Sequence, residues 1–203
     1  MLDAARLYFV VEASASDRLL DAALTGGCDV LQLRDHEASD DELVAAAERF
    51  RDACDVHGAL FVVNDRPELA LQAGADGVHV GQDDLPVDAV RRLVGPDMLI
   101  GLSTHAPEQF GAGLDSDADY LSAGPIWETP TKAGRPAAGL NYVRYAASVA
   151  TKPWFAIGGI DEHNIGEVVA AGARRAVVVR AIRDADDPAA VASALKSVLD
   201  RVS

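Results

Sequence analysis

A chain of 203 residues, 49% apolar and 25% charged, reads as soluble and globular, with enough length for one domain and a substantial core. Its formal net charge of −14 argues against nucleic acid as a partner, because a phosphate backbone needs a basic face. There is no run of 18 apolar residues for a transmembrane helix, so no membrane partner is expected. The opening MLDAARLYFVVEAS lacks the basic stretch and cleavage site of a signal peptide, so the chain is expected in the cytoplasm.

The elements follow a regular alternation. RLYFVV (6–11) and DVLQLR (29–34) are the first two strands, nearly continuous in apolar residues, as strands covered on both faces are. Ser39 and Glu42 then form a capping box ahead of Leu43, Val44, Ala47 and Phe50 at helical spacing. ALFVVN (59–64) and DGVHVG (76–81) follow as strands, and Pro86 marks the first turn of the next helix. MLIGLS (98–103) leads to a helix begun at Pro107, and DYLSAG (119–124) runs into GPIWETPTKAGRPAAG (124–139). That stretch is too rich in proline and glycine for a helix or a central strand, and so long a loop is either disordered or functional. PWFAIG (153–158) precedes a helix introduced by Asp161 and carrying Ile165, Val168 and Val169. RAVVVR (175–180) precedes another capped by Asp187 with Pro188 at its start. The helix ends LTGGCDVLQLR, LQAGADGVHVG and VAAGARRAVVVR echo one another at successive helix-to-strand junctions. Eight strands alternating with helices predict an α/β fold, a single (β/α)8 TIM barrel over 1–203, with an open doubly wound sheet as the alternative. The two cysteines, Cys28 and Cys54, read as buried reduced thiols.

In a barrel the chemistry sits at the C-terminal ends of the strands. Reading the strand ends gathers Gln32, Arg34, Asn64, Asp65, Asp84, Ser103, Thr129, Thr131 and Lys132 on one rim. Asp65 and Asp84 offer hard oxygens suited to Mg2+ shared with a phosphate, and Arg34 and Lys132 could surround a phosphoryl group. Gly158 and Gly159 of AIGGI, with backbone at the end of the last strand, suit a second, backbone-lined phosphate site. Taken singly, each has a structural reading too. Asp65 could pair with Arg66 or cap the helix at Pro67, Asp84 could cap the helix at Pro86, and Ser103 could cap the next. His79 could be a satisfied core histidine, and His105 could belong to a helix-capping loop. The Walker and dinucleotide glycine fingerprints are absent, as is any Cys/His cluster for zinc.

QLRD (32–35), FVVNDR (61–66), ADGVHVGQDDLP (75–86), IGLSTH (100–105), DYLSAGPIWETPTKAG (119–134) and FAIGGI (155–160), in this order, resemble the thiamine-phosphate synthase family across nearly the whole chain. The resemblance implies coupling of 4-amino-5-hydroxymethyl-2-methylpyrimidine pyrophosphate to 4-methyl-5-(2-hydroxyethyl)thiazole phosphate, with release of pyrophosphate. By the same resemblance Asp65 and Asp84 would hold Mg2+, and Arg34, Asn64, Ser103 and Lys132 would contact pyrophosphate. Gln32 and Tyr8 would face the pyrimidine. Thr129 and Thr131, with backbone at Gly159, Val179 and Arg180, would bind the thiazole phosphate. Residues 124–139 would then be a mobile lid that delivers Lys132 and the threonines on closure.

Two positions depart from the family pattern. His36 stands where a lysine is usual after QLRD, and an imidazole is a weaker pyrophosphate partner than an ammonium. Arg180 stands where a serine is usual in the last strand's motif, although its backbone amide can still meet phosphate. A related thiazole tautomerase and a non-catalytic phosphate sensor are the rival readings. Asp65, Asp84 and TPTK favour the synthase, since an isomerase requires neither Mg2+ nor a pyrophosphate cage. A homodimer or homotrimer through the outer helices is the oligomeric expectation, which the sequence leaves open.

Overall fold

The computed structural model describes residues 1–129 and 136–202. After a 3-10 turn at Leu2–Ala4 come β1 (Leu7–Val11), α1 (Asp17–Thr25), β2 (Val30–Leu33), α2 (Asp40–His57), β3 (Leu60–Asn64) and α3 (Pro67–Gln72). These are followed by β4 (Gly77–Val80), α4 (Val87–Val94), β5 (Leu99–Thr104), α5 (Pro107–Leu114) and β6 (Tyr120–Ala123). The chain continues through α6 (Gly139–Val149), β7 (Trp154–Ile157), α7 (Ile165–Ala170), β8 (Ala176–Val178), α8 (Arg180–Arg183) and α9 (Pro188–Asp200). Each strand pairs in parallel with the next, and β8 returns to β1 through Leu7–Ala176, Tyr8–Val177 and Phe9–Val178. The sheet is therefore a closed barrel, and the open doubly wound alternative falls.

Closure explains the apolar runs. Successive strand side chains point to opposite faces, and both faces are covered. Leu7, Phe9 and Val11 of β1 pack outward against the helices, together with Leu31, Phe61, Val63, Ile100 and Leu121. Tyr8, Val10, Val30, Leu60, Val62, Tyr120, Phe155 and Val177 form a second core inside the barrel. The helix signals hold with two displacements, one at Pro86 and one at Asp161, which stands three residues before the N-cap Asn164 of α7. Ser39 and Glu42 make the full capping box, and Asp187 Oδ1 accepts the Ala190 N–H at 3.0 Å. Pro107 and Pro188 open α5 and α9, whereas Pro86 stands one residue before α4 as its N-cap. Cys28 and Cys54 are buried and free, and burial raises the Cys54 thiol to about 12. No helix among the described residues is long and apolar enough to cross a membrane.

The echoed helix ends have a physical role at the base of the barrel. Asp29, just before β2, accepts the Arg6 and Leu7 N–H groups through Oδ2 at 2.7 and 2.9 Å and binds Lys196 Nζ at 2.6 Å. Asp76, before β4, accepts the Phe61 N–H at 2.7 Å and pairs with Arg51 at 2.8 Å. Asp119, before β6, accepts the Ile100 N–H at 2.7 Å and pairs with Arg91 at 2.6 Å. Each carboxylate thus pins the start of the preceding strand, where a backbone donor would otherwise lack a partner. Before β8 the residue is Arg175, whose guanidinium reaches the carbonyls of Ala5 at 3.0 Å and Asp3 at 2.9 Å instead. Asp119→Ala should lower stability by about 2 kcal/mol in urea denaturation, through the orphaned Ile100 N–H and the freed Arg91. Kinetic constants of the folded variant should stay those of the parent, because this end of the barrel is remote from the site; altered constants would contradict that separation.

Candidate active site

The alternation that builds the inner core also builds the site. Toward the C-terminal ends of the strands, the inward positions become polar: Gln32 on β2, Asn64 on β3, His79 on β4, Ser103 on β5 and Ser122 on β6. Gln32, His79, Ser103 and Ser122 are buried, so each needs a hydrogen-bond partner. Gln32 Nε2 donates to Asn64 Oδ1 at 3.3 Å, and Asn64 Nδ2 donates in turn to Asp65 Oδ2. Asn64 is thereby fixed in orientation, and the Gln32 carbonyl oxygen keeps no partner among the described residues. Ser103 Oγ lies 2.9 Å from His79 Nε2, and the Ser103 carbonyl accepts from Gln82 Nε2 at 2.7 Å.

The two acidic residues stand at the ends of neighbouring strands. Asp65 adopts φ 59°, a left-handed backbone uncommon for a residue with a side chain and recurrent at functional turns. Its N–H donates to the His79 carbonyl at 2.9 Å, which ties it to β4. Asp84 is exposed and folds back so that Oδ2 accepts the Gly81 N–H at 2.8 Å. The cap expected of Asp84 is therefore a loop bond and not a helix cap, and the Asp65–Arg66 pair is replaced by Arg66–Asp40 at 2.6 Å. Among the described residues no group of three or more His, Cys, Asp or Glu could hold a metal ion by itself. Two carboxylates fit a hard cation whose remaining ligands are water and phosphate oxygens, the usual way Mg2+ is held.

Around this set, Arg34 is half-buried at the end of β2. Asp35 accepts the N–H groups of Ala13, Glu37 and Ala38 at 3.1, 3.0 and 3.1 Å and so shapes the loop that carries the exposed His36. On the opposite side a cavity of about 400 Å3 extends from Ser103 and Ser122 past Ile157 and Val177 to Gly159, Val179 and Arg180. Gly158 and Gly159 take φ 108° and 70°, and a side chain on Gly158 would collide with Pro125. Asn164 Nδ2 holds the Gly159 carbonyl at 2.7 Å, so the neighbouring N–H groups can turn to the cavity. Thr129 lines the same cavity.

The loop after β6 is anchored at both described ends. Ile126 and Trp127 donate to the carbonyls of Ile157 and Gly158 at 2.9 and 3.2 Å, and Ala138 donates to Pro125 O at 2.8 Å. Thr131, Lys132 and the centre of the expected lid lie outside the described residues. Tyr8 points inward but is 2% exposed, its hydroxyl 3.1 Å from that of Tyr120, so it forms part of the barrel floor. Sequence reasoning passed over Tyr120 and Ser122, and read His79 as a satisfied core histidine, which its burial and its bonds to Tyr120 and Ser103 match. The available signal was Gly101 inside β5, since a strand glycine marks a close approach by a neighbour.

The class so defined is a (β/α)8 barrel with a candidate site on its C-terminal rim. Residues 7–182 match the thiamine monophosphate synthase family. The thiamine-phosphate synthase of Thermobifida fusca (strain YX) is 53% identical over 96% of this chain and 92% of its own length, and that of Acidothermus cellulolyticus (strain ATCC 43068 / DSM 8971 / 11B) 52% over 93% and 92%. The solved thiamine phosphate pyrophosphorylase from Pyrococcus furiosus superposes with a TM-score of 0.89 at 28% identity, covering 97% of this chain and 96% of its own. The chain belongs to the thiamine monophosphate synthase family, and it is a transferase.

The backbone of Asp65 gives a test that separates conformation from charge. Asp65→Gly should be more stable than Asp65→Ala by about 1 kcal/mol in urea denaturation, because only glycine takes this φ without strain. Both should lose activity alike. Equal stability of the two variants would show that the left-handed turn is not held in solution.

Proposed function

We propose that the chain makes thiamine phosphate in the cytoplasm, joining the pyrimidine of 4-amino-5-hydroxymethyl-2-methylpyrimidine pyrophosphate to the ring nitrogen of 4-methyl-5-(2-hydroxyethyl)thiazole phosphate with Mg2+. The observation that carries this reading is one rim on which Gln32, Asn64, Asp65, Asp84 and Ser103 meet a cavity running to Gly159 and Val179. Such a rim has room for two anions at once, one near the carboxylates and Arg34, the other against the diglycine turn.

The C–O bond to pyrophosphate ionises, the aminopyrimidine delocalises the positive charge, and the thiazole nitrogen attacks the methylene carbon. No side-chain nucleophile is required; the chain must neutralise the leaving group and hold the two rings in line. Asp65 and Asp84 would hold Mg2+, which when bound supplies positive charge beside the pyrophosphate. Arg34 and Ser103 donate to the same leaving group, and Asn64 is kept in place by Gln32 and Asp65. The Gln32 carbonyl is suited to accept from the pyrimidine amino group. Backbone N–H groups at Gly159, Val179 and Arg180 hold the thiazole phosphate, with Thr129 beside them. Ile157, Val177 and Val179 form an apolar wall that keeps water from trapping the cation as an alcohol. Thr131 and Lys132 enter this reading through their motif alone.

Purified chain given both substrates and Mg2+ should form thiamine phosphate, detected as a product that contains both rings. Asp84→Ala should lower kcat/KM by roughly a hundredfold or more. A folded chain that binds the thiazole phosphate without yielding that product would turn the reading toward the tautomerase or the sensor. His36 gives a finer test. It is exposed, so His36→Lys should lower the KM for the pyrimidine pyrophosphate by only about two- to fivefold. Identical kinetics at every pH would remove His36 from the substrate site.

A further inference from the structure

Beneath the mouth of the barrel four side chains from four strands form one hydrogen-bonded line. Ser103 Oγ stands 2.9 Å from His79 Nε2, His79 Nδ1 stands 3.2 Å from the Tyr120 hydroxyl, and that hydroxyl stands 3.1 Å from the hydroxyl of Tyr8. All four are buried, with 6%, 8%, 1% and 2% of their surface exposed. The line depends on Gly101, opposite both rings: a Cβ there would overlap the Tyr120 ring and His79 Nδ1. The strand glycine is thus the space in which the imidazole meets the phenol.

The line has a direction, and its buried end sets it. Among the described residues the Tyr8 hydroxyl has one hydrogen-bond partner, Tyr120, so its hydrogen goes there; the reverse order would leave a buried donor unmade. Tyr120, having accepted, donates its own hydrogen to His79 Nδ1. A neutral imidazole with Nδ1 accepting carries its proton on Nε2, which then donates to Ser103 Oγ. The Ser103 hydrogen is left to point elsewhere, and Ser103 lines the cavity. Burial holds both phenols well above their usual range, so both keep the hydrogens this order needs.

We propose that Tyr8 and Tyr120 are positioning residues: through His79 they hold the Ser103 hydroxyl as a donor aimed at an acceptor-only phosphoryl oxygen in the cavity. Identifying that oxygen as part of the departing pyrophosphate rests on the synthase reading above. The order of the hydrogen bonds does not. A donor fixed before the reaction needs no reorientation as charge develops on the leaving group, and each bond in a buried chain polarises the next. Tyr8 then acts on the reaction from two bonds away and not by touching the pyrimidine.

The test uses the full chain with 15N-labelled histidine, its His79 signals assigned by their loss in His79→Gln. Long-range proton–nitrogen spectra at pH 8 should show Nε2 protonated and Nδ1 bare in the parent. Tyr120→Phe keeps the ring and removes the relay, so the spectrum should move toward the other tautomer and kcat should fall roughly tenfold. KM for the thiazole phosphate should hold. Tyr8→Phe should cost less, because Tyr120 can still donate to Nδ1. A parent spectrum with Nδ1 protonated overturns the proposal and needs no variant to fold. An unchanged His79 spectrum in Tyr120→Phe, whatever its kcat, reduces Tyr120 to packing and overturns it too. A parent with the expected spectrum but no two-ring product would sink the synthase reading and leave the hydrogen-bond order standing.

Discussion

Closure of the eight-stranded sheet is the constraint from which the rest of this molecule follows. Once β8 pairs with β1, every second side chain of every strand must point into a space with no other exit than the two ends of the barrel. Near the middle that space is filled by Val10, Val30, Leu60, Val62, Phe155 and Val177, packed with two tyrosine rings. Nearer the C-terminal end it is filled by an amide pair, an imidazole and two serines, which cannot be left unpaired away from water. The amides bond to each other and the imidazole bonds to Ser103, so the same bonds that satisfy these groups also aim them, while Ser122 lines the cavity. Gln32, Asn64 and Asp65 form one such set; Ser103, His79, Tyr120 and Tyr8 form the other.

The two ends of the barrel divide the work of stability and chemistry. At the base, Asp29, Asp76 and Asp119 each tie a backbone N–H of one strand to a cation on a helix or helix end, and Arg175 ties the last junction to the N-terminal turn. Those contacts hold the strands in register without touching the cavity. At the mouth, the left-handed Asp65 and the diglycine turn accept conformations that ordinary sequence avoids, and both belong to the proposed site. A rigid base makes such local strain tolerable at the rim.

Much of this was readable from residue order alone. The continuous apolar runs announced strands buried on both faces, the Ser39–Glu42 box and the prolines announced helix starts, and the strand-end motifs placed Gln32, Asn64, Asp65, Asp84 and Ser103 on one rim. What was not readable were roles set by a partner far away in sequence. Tyr120 looks like an ordinary strand residue until β5 brings Gly101 beside it and β4 brings His79 across it. Asp119 looks like any polar residue before a strand until Arg91 and the Ile100 N–H converge on it. Tyr8 is assigned to the pyrimidine by the resemblance alone, and only the fold shows that its ring is buried and its hydroxyl meets that of Tyr120.

The sequence by itself determined the alternation of elements, the burial of the strands on both faces and the family to which its motifs point, because these depend on near neighbours and period. Tertiary structure decided closure against an open sheet, the partners of the basal aspartates, the left-handed turn at Asp65 and the buried line beneath Ser103. Those outcomes depend on which strands become neighbours and on the cost of burying a polar group without a partner, and neither is written in any local stretch of the chain.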